Sequence, residues 1–536
     1  MVERAQKSRS FGSSALALAV TSMVAKLMGA VYRIPLTNIL GANGIGKYQL
    51  VFPLFALLLA LSCNAVPVAI SRLVAQERAL GKTDNVRSIM LASLVYMGVS
   101  GAVAMIFMLA IAYPLSIVQG ADMFKCYLVL APVIEVVAFS NTFKGWFLGS
   151  GNTLPNCVGQ LVEQGAKLVF GLVLAKAFGR HGLTFSVVGA LLGIAISELL
   201  ELVIVIIWYM KTADENKGFS RANFGYWWGY IGRVATPIMM SGLLFPLLSF
   251  VDSILIVKEL VYWGMDYNIA VSEYGLLTGP VYSLVNMPVM VALSLSIAIV
   301  PAVSQNVANY NLVSLKDKAS MSIKLAVLVG LPCACGMALV AEPIIKLLYP
   351  ALSDMQTALA VKLLKVQSIG IVWLSVLEVV GAVLQGLGKS KEVLGSIVVG
   401  GLVKIGVEII LLARLGIVGV CIAMVAFYVV SSVIDMAIFR KMIGKNSKLW
   451  KNVGKIVLCS VIMSICVTLS TTWLDSQLAK LLVGVSVGVV SFGLAVILSG
   501  VFGADEIASL PLGKQLSKLG RKRKRSSYDN DSRYGN

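Results

Sequence analysis

Stretches of twenty or more mostly apolar residues recur along nearly the whole chain, and that recurrence constrains its fold more than any other feature. About twenty apolar residues are what one α-helix needs to cross a bilayer. Fourteen such stretches are read: Phe11 to Tyr32, Tyr48 to Ala75, Ser88 to Ala112, Met123 to Phe143, Leu154 to Phe178, Phe185 to Met210, Tyr226 to Val257, Glu273 to Pro301, Ala319 to Val340, Ala358 to Gln385, Val393 to Ala413, Val418 to Phe439, Asn452 to Trp473 and Leu481 to Phe502. The first is too long for a signal peptide and lacks a cleavage site, so it counts as a span. With 58% hydrophobic and only 13% charged residues in 536, a soluble chain would lack the polar surface to cover its domains. This excludes a soluble enzyme, a disordered protein and a secreted disulfide scaffold. The fold class is an all-α polytopic membrane protein.

The net charge of +19 is unevenly placed. The segment Lys514 to Arg533 holds eight of the 45 basic residues, including Arg521-Lys522-Arg523-Lys524-Arg525. Directly after an apolar hairpin, such a run reads as a tail against anionic lipid, and no nucleic-acid partner is implied. Assigning Lys and Arg to alternate loops, with the N-terminus inside, puts 27 inside, 7 outside and 11 within spans. That bias predicts a cytoplasmic-membrane protein with both termini cytoplasmic and an even number of spans.

An internal repeat runs at an offset of about 235 residues. Val66-Pro67, Ser71-x-x-Val74-Ala75 and Asp84 recur as Val300-Pro301, Ser304-x-x-Val307-Ala308 and Asp317. Gly149-x-Gly151 with Lys167 recurs as Gly386-x-Gly388 with Lys404. Six spans separate the copies, so both halves face the same way, as two parallel six-helix lobes around a central cavity. The expected organisation is a first lobe over 1–215, a second over 216–445, helices 13 and 14 over 446–510, and a basic cytoplasmic tail over 511–536.

Soluble-enzyme motifs fail on inspection. Gly41-Ala-Asn-Gly-Ile-Gly46-Lys47 approaches a phosphate-binding loop but continues with Tyr48 and has no preceding strand, so it reads as a turn between helices. The single His181 falls in a loop, and Asp529 and Asp531 lie in the tail. The eight cysteines lack metal-ligand spacing and read as small core residues. No catalytic residue, metal site or cofactor is expected, and the chain does not read as an enzyme.

Ionisable residues inside spans are the informative ones, since each costs about 2.5–3.5 kcal/mol at a helix centre and needs a cavity or a partner. Lys26, Arg33, Glu135, Glu163 and Lys167 stand in the first half; Arg233, Asp252, Glu378, Lys404, Glu408 and Asp435 stand in the second. Lys26 and Arg33, seven apart, share one helix face, although Arg33 snorkelling to the outer interface is an alternative. Lys404 with Glu408, and Glu163 with Lys167, have ion-pair spacing as well as site spacing. A cavity lined by Lys and Arg suits an anion, phosphate above all.

Phe143-Lys144-Gly145-Trp146-Phe147-Leu148-Gly149, followed by Pro155, Gln160, Glu163-Gln164 and Lys167, resembles the stretch after the fourth helix of polysaccharide exporters. Tyr32-Arg33-Ile34-Pro35-Leu36-Thr37, the Pro67 to Arg72 segment and Leu384-Gln385-Gly386-x-Gly388-Lys389 are similar to the same group. The resemblance, over nearly the whole chain, is to the stage V sporulation protein B and MurJ-like branch of the multidrug/oligosaccharidyl-lipid/polysaccharide exporter superfamily. It implies flipping of undecaprenyl-pyrophosphate-linked sugars, such as the peptidoglycan precursor lipid II, by alternating access, in cell-envelope polysaccharide or spore cortex synthesis. It also implies a lipid-tail groove at helices 13 and 14. The expected substrate-binding residues are Lys26, Arg33, Glu163, Lys167 and Arg233, and the expected ion-coupling residues are Asp252, Lys404 and Glu408.

Two departures stand out. Leu61, Cys63, Ser283 and Asn286 occupy the middles of the second and eighth helices, where the branch carries further arginines. Lys404 falls near a neutral ligand of the branch's sodium site, so an ammonium would fill that position. The rival readings are a multidrug or organic-cation antiporter of the same superfamily, and a non-transporting scaffold whose partners are cell-wall synthesis proteins. Membrane lipids are partners in every case.

Overall fold

A computed structural model describes residues 2–212, 219–221, 223–308, 312–444 and 447–501. The tail expected over 511–536 and the lobe boundary at 215/216 lie outside the described residues. Among these residues there is no β-strand.

The first helix, α1, runs Val2–Ser62, followed by α2 (Val66–Ala79), α3 (Thr83–Gln119), α4 (Met123–Gly149), α5 (Leu154–Phe178) and α6 (Leu183–Lys211). Next come α7 (Phe224–Gly242), α8 (Leu244–Tyr262), α9 (Tyr267–Leu276), a π-helical turn over Leu277–Val281, α10 (Tyr282–Ala308) and α11 (Leu312–Leu339). The chain continues through α12 (Ala341–Leu348), α13 (Asp354–Gly386), α14 (Ser390–Leu415), α15 (Ile417–Ile443), α16 (Ser447–Thr471) and α17 (Gln477–Ser499). Local chemistry sets several starts. Proline occupies the first turn of α2 and α5, where its missing N–H has no helical partner. Ser353 and Gln356 form a reciprocal capping box at α13.

Among the described residues, twelve helical stretches are long and apolar enough to cross a membrane, or thirteen when α7 and α8, bent by 55°, count as one span. The sequence reading gave fourteen, and the difference lies in α1. Its stretch continues into α2 as one run, Val20–Ala79. Gly41 interrupts α1 with φ 65° and ψ −179°, a conformation open to glycine but strained for other residues. Gly41 lies between the first two spans of the sequence reading, while the count among the described residues stays at twelve or thirteen. The reading of Gly41–Lys47 as a turn between helices holds at Gly41, where the backbone breaks, and the break is short: residues 42–47 are helical.

Helices α1 to α6 pack on one another, as do α10, α11, α13, α14 and α15. The first set meets the second half of the chain where α1 touches α8, α9 and α10 and where α3 touches α7. The outer faces are apolar: Ile117, Leu402, Val489 and Leu498 are each about two-thirds exposed. Such a surface would aggregate in water and is satisfied by lipid tails. The protein is a multi-pass membrane protein. Because lipid offers no hydrophobic drive between helices, close crossings rest on small residues. A Cβ on Gly193 would lie 2.3 Å from the Gly171 Cα, locking α6 to α5.

Helices α1 and α9 cross closely at the Gly41 end. A Cβ on Gly275 would lie 2.3 Å from the Ala42 carbonyl, and one on Gly46 would lie 2.1 Å from the Val271 carbonyl. Beside this crossing, Asn43 Nδ2 donates to the Asn268 carbonyl and Gln49 Nε2 to the Thr278 carbonyl, at 2.8 and 2.7 Å. Backbone atoms cannot rotate aside, so Gly275→Val must force α1 from α9. A single cysteine at Gln49, buried here, should then react with maleimide in detergent at least ~10-fold faster, since local opening sets the rate. Unchanged reactivity would show that the crossing does not seal this end.

Nearby, Lys47 Nζ donates to Asp122 Oδ2 at 3.0 Å, and Thr184 Oγ1 donates to the same oxygen at 2.9 Å. These bonds hold the Asp122 carboxyl below its ordinary value. The tie is therefore complete above the usual carboxylate range and is lost as pH falls through the lowered value.

Candidate functional site

A cavity of about 300 Å³ opens between α1, α5 and α10. Lys26 and Arg33 enter from one face of α1, with Gly29 and Ala30 between them. Small residues there let α5 approach: a Cβ on Gly29 would lie 3.2 Å from Gln164 Oε1. From α5, Gln160, Gln164 and Lys167 line the same space, again at helical spacing. Ser283 and Asn286 close it from α10, and Arg33 Nη1 donates to Ser283 Oγ at 3.3 Å. Ser22 Oγ donates to Gln160 Oε1 at 3.2 Å, and Lys167 Nζ sits 6.0 Å from the Tyr32 ring centroid. Three cations line the cavity, and none of its described lining residues is acidic.

The expected residues divide unequally over this site. Lys26, Arg33 and Lys167 are brought together. Glu163 stands behind the wall, accepting from Gln164 Nε2 at 2.7 Å. Arg233 is exposed on α7 and does not line the cavity. Ser283 and Asn286, noted as departures, face the cavity as neutral donors and acceptors. Leu61 is 43% exposed and Cys63 is fully buried, so neither lines it.

Three charges were missed. Lys144 Nζ pairs with Glu201 Oε2 at 2.5 Å, and Ser140 Oγ donates to that oxygen at 3.2 Å. Glu198, one turn earlier on α6, lies within electrostatic reach of Lys144 and Lys167. Their signal was available: two glutamates three apart in an otherwise apolar stretch share one helix face. Glu378 on α13 lies within electrostatic reach of Lys26 across the two helix sets.

The expected ion-coupling residues form a closed triad. Lys404 is 1% exposed and donates to Asp252 Oδ1 and, at 2.8 Å, to Glu408 Oε2. The ammonium occupies the space between the two carboxylates. Among the described residues no group of three or more His, Cys, Asp or Glu is arranged to hold a metal ion.

Comparison with known proteins fits this geometry. The family model described as polysaccharide biosynthesis protein matches residues 11–307, more than half of the chain. The chain belongs to this family. A second model, lipid II flippase MurJ, matches residues 282–487 of the same family member. Stage V sporulation protein B of Bacillus subtilis (strain 168) is 27% identical over 467 residues, 85% of this chain and 89% of that protein. Lipid II flippase MurJ of the same organism is 24% identical over 480 residues, 84% and 86% respectively. Among solved structures, lipid II flippase MurJ in an inward closed conformation aligns with a TM-score of 0.70 at 15% identity, covering 90% of this chain and 99% of that one. An inward-facing multidrug resistance MATE family transporter of the MOP superfamily aligns at 0.66 with 18% identity, covering 82% and 99%. The fold read from the sequence is thus the fold shared by these transporters.

Proposed function

We propose that this family member is a flippase for a lipid-linked oligosaccharide or peptidoglycan precursor of the lipid II type, working by alternating access in the cytoplasmic membrane. Its lobes are the two halves of the repeat, 1–215 and 216–445, and its termini are cytoplasmic, as the basic-residue bias supports. The observation that carries the reading is the cavity itself. Lys26, Arg33 and Lys167 converge between the helix sets with no acidic lining residue, which suits a pyrophosphate and opposes an organic cation. The names of the relatives point the same way.

A second cavity, of about 650 Å³, supports a polyprenyl tail. It is walled almost wholly by apolar residues of α11, α13, α15 and α16, among them Val327, Trp373, Val433 and Val453. Arg440, which also lines it, lies over the Trp450 ring at 5.8 Å. The resemblance placed a tail groove at helices 13 and 14; here α16 supplies one wall and α17 none. The deciding experiment is head-group translocation in proteoliposomes, with lipid II and an O-antigen-type lipid compared. Movement of either confirms a flippase and identifies its sugar. Movement of neither, with protein correctly inserted, leaves the scaffold reading.

A further inference from the structure

Four hydrogen bonds from α1 and α3 to the second half of the chain share one chemistry. Asn38 Nδ2 of α1 donates to the Leu348 carbonyl, at the end of α12, at 2.8 Å. Asn43 and Gln49, also on α1, donate to the Asn268 and Thr278 carbonyls at 2.8 and 2.7 Å. Gln119, the last residue of α3, donates through Nε2 to the Ser253 carbonyl of α8 at 3.3 Å. In each case a side-chain carboxamide of the first half meets a backbone carbonyl of the second. Gln119 is 1% exposed, and its partners orient its amide. The Tyr127 hydroxyl donates to Oε1 at 2.5 Å, while the Ser253 carbonyl can only accept and so takes the NH₂ end. The Tyr267 hydroxyl of α9 donates to the Gln119 carbonyl, an approach that a Cβ on Gly120 would block.

The basic-residue bias places all eight of these residues in outer loops or at the outer ends of spans. We propose, on the reading of this chain as an alternating-access carrier, that the carboxamide seam is its outer gate, closed here and parting in the outward-open state. Neutral donors suit a seam that must open and reclose. Separating an amide from a carbonyl strands no charge, and water entering the open seam pairs both groups. An ion pair broken at the same place would leave two charges to be compensated. A side-chain hydrogen bond between membrane helices shifts an equilibrium by about threefold on average. The seam therefore closes the outer side through several small contributions, and no single bond locks it. Asp252, next to Ser253, is held by Lys404 of α14, which fixes α8 from its other side while Gln119 grips it.

The test reads access to the cavity from each side of the membrane. Asn286 is exposed in the cavity, so Asn286→Cys in the full chain is the reporter, its labelling counted above that of the native cysteines. A membrane-impermeant maleimide is added to right-side-out or to inside-out vesicles. With the seam intact, the reporter should label fast from the cytoplasmic side and slowly from outside. Gln119→Met and Gln49→Met, close in volume to the originals, should each raise outside labelling about threefold, because the rate follows the open population. Adding Asn38→Leu and Asn43→Leu to both should bring the rise to about 50- to 100-fold, if the four bonds act independently. Unchanged outside labelling of the fourfold variant, with cytoplasmic-side labelling intact, overturns the gate and leaves the carrier reading standing. An equal rise at the buried Cys421, mapped by mass spectrometry, means general loosening and overturns the gate as well. Labelling of neither chain from either side overturns the carrier reading and the gate with it.

Discussion

Replacing both Lys26 and Arg33 by glutamine should abolish transport while leaving membrane levels near normal. A pyrophosphate entering a membrane-embedded cavity loses its water, and only fixed cations compensate for that loss. A hydrogen bond to a charged group contributes about 1.5–3 kcal/mol, so losing one such contact costs about 10- to 150-fold in binding. Two together should cost about 100- to 20,000-fold on the same scale. Lys26→Arg should keep much of the activity, because the position supplies charge. Arg33→Lys should lose part of it, because a guanidinium grips phosphate with two parallel hydrogen bonds and an ammonium does not. Ser283→Ala removes the donor's partner across the cavity and should cost little, because phosphate takes its place. The measurement is rescue of a strain lacking its own flippase, with each variant's membrane level checked. Full rescue by the doubly substituted chain at normal levels would show that both side chains merely snorkel and that the anion site lies elsewhere.

Much of this was legible in the sequence because its rules are local. Apolar length gives spans, seven-residue spacing puts Lys26 and Arg33 on one face, and four-residue spacing puts Lys404 beside Glu408. The repeat needed only two short patterns in register. Partners across helices were not legible, because spacing along one helix fixes a face and not what that face meets. Lys167 joins the two α1 cations only because Gly29 lets α5 close on α1. Lys144 finds Glu201 across α4 and α6, a pairing that no spacing in either helix encodes. Arg233 failed for the same reason: it stands in an apolar stretch with no local feature to show which way α7 turns. Gly41 was legible as a break between helices, but not how short that break is, since a glycine-rich run does not show where the next helix begins.

The second large effect should come from Lys404. Removing the ammonium by Lys404→Met leaves Asp252 and Glu408 facing each other in the protein interior. Breaking a buried pair in this way destabilises by about 3–5 kcal/mol, because the abandoned charges stay buried. Low membrane levels and a clearly lower Tm in detergent should follow. Neutralising all three together, as Asp252→Asn, Lys404→Met and Glu408→Gln, should recover most of the loss, since no uncompensated charge then remains. The smaller substitution Lys404→Asn separates a structural role from a coupling role. It empties the space between two carboxylates and leaves a neutral oxygen beside them, a donor set that suits a hard monovalent cation. Its Tm should rise with sodium chloride and not with choline chloride, by the linkage of ligand binding to stability. The unmodified chain carries its cation covalently, so its transport should be indifferent to replacing sodium by potassium at constant membrane potential. A strong sodium requirement in that chain would mean that Lys404 leaves the triad during the cycle and that an external ion takes its place.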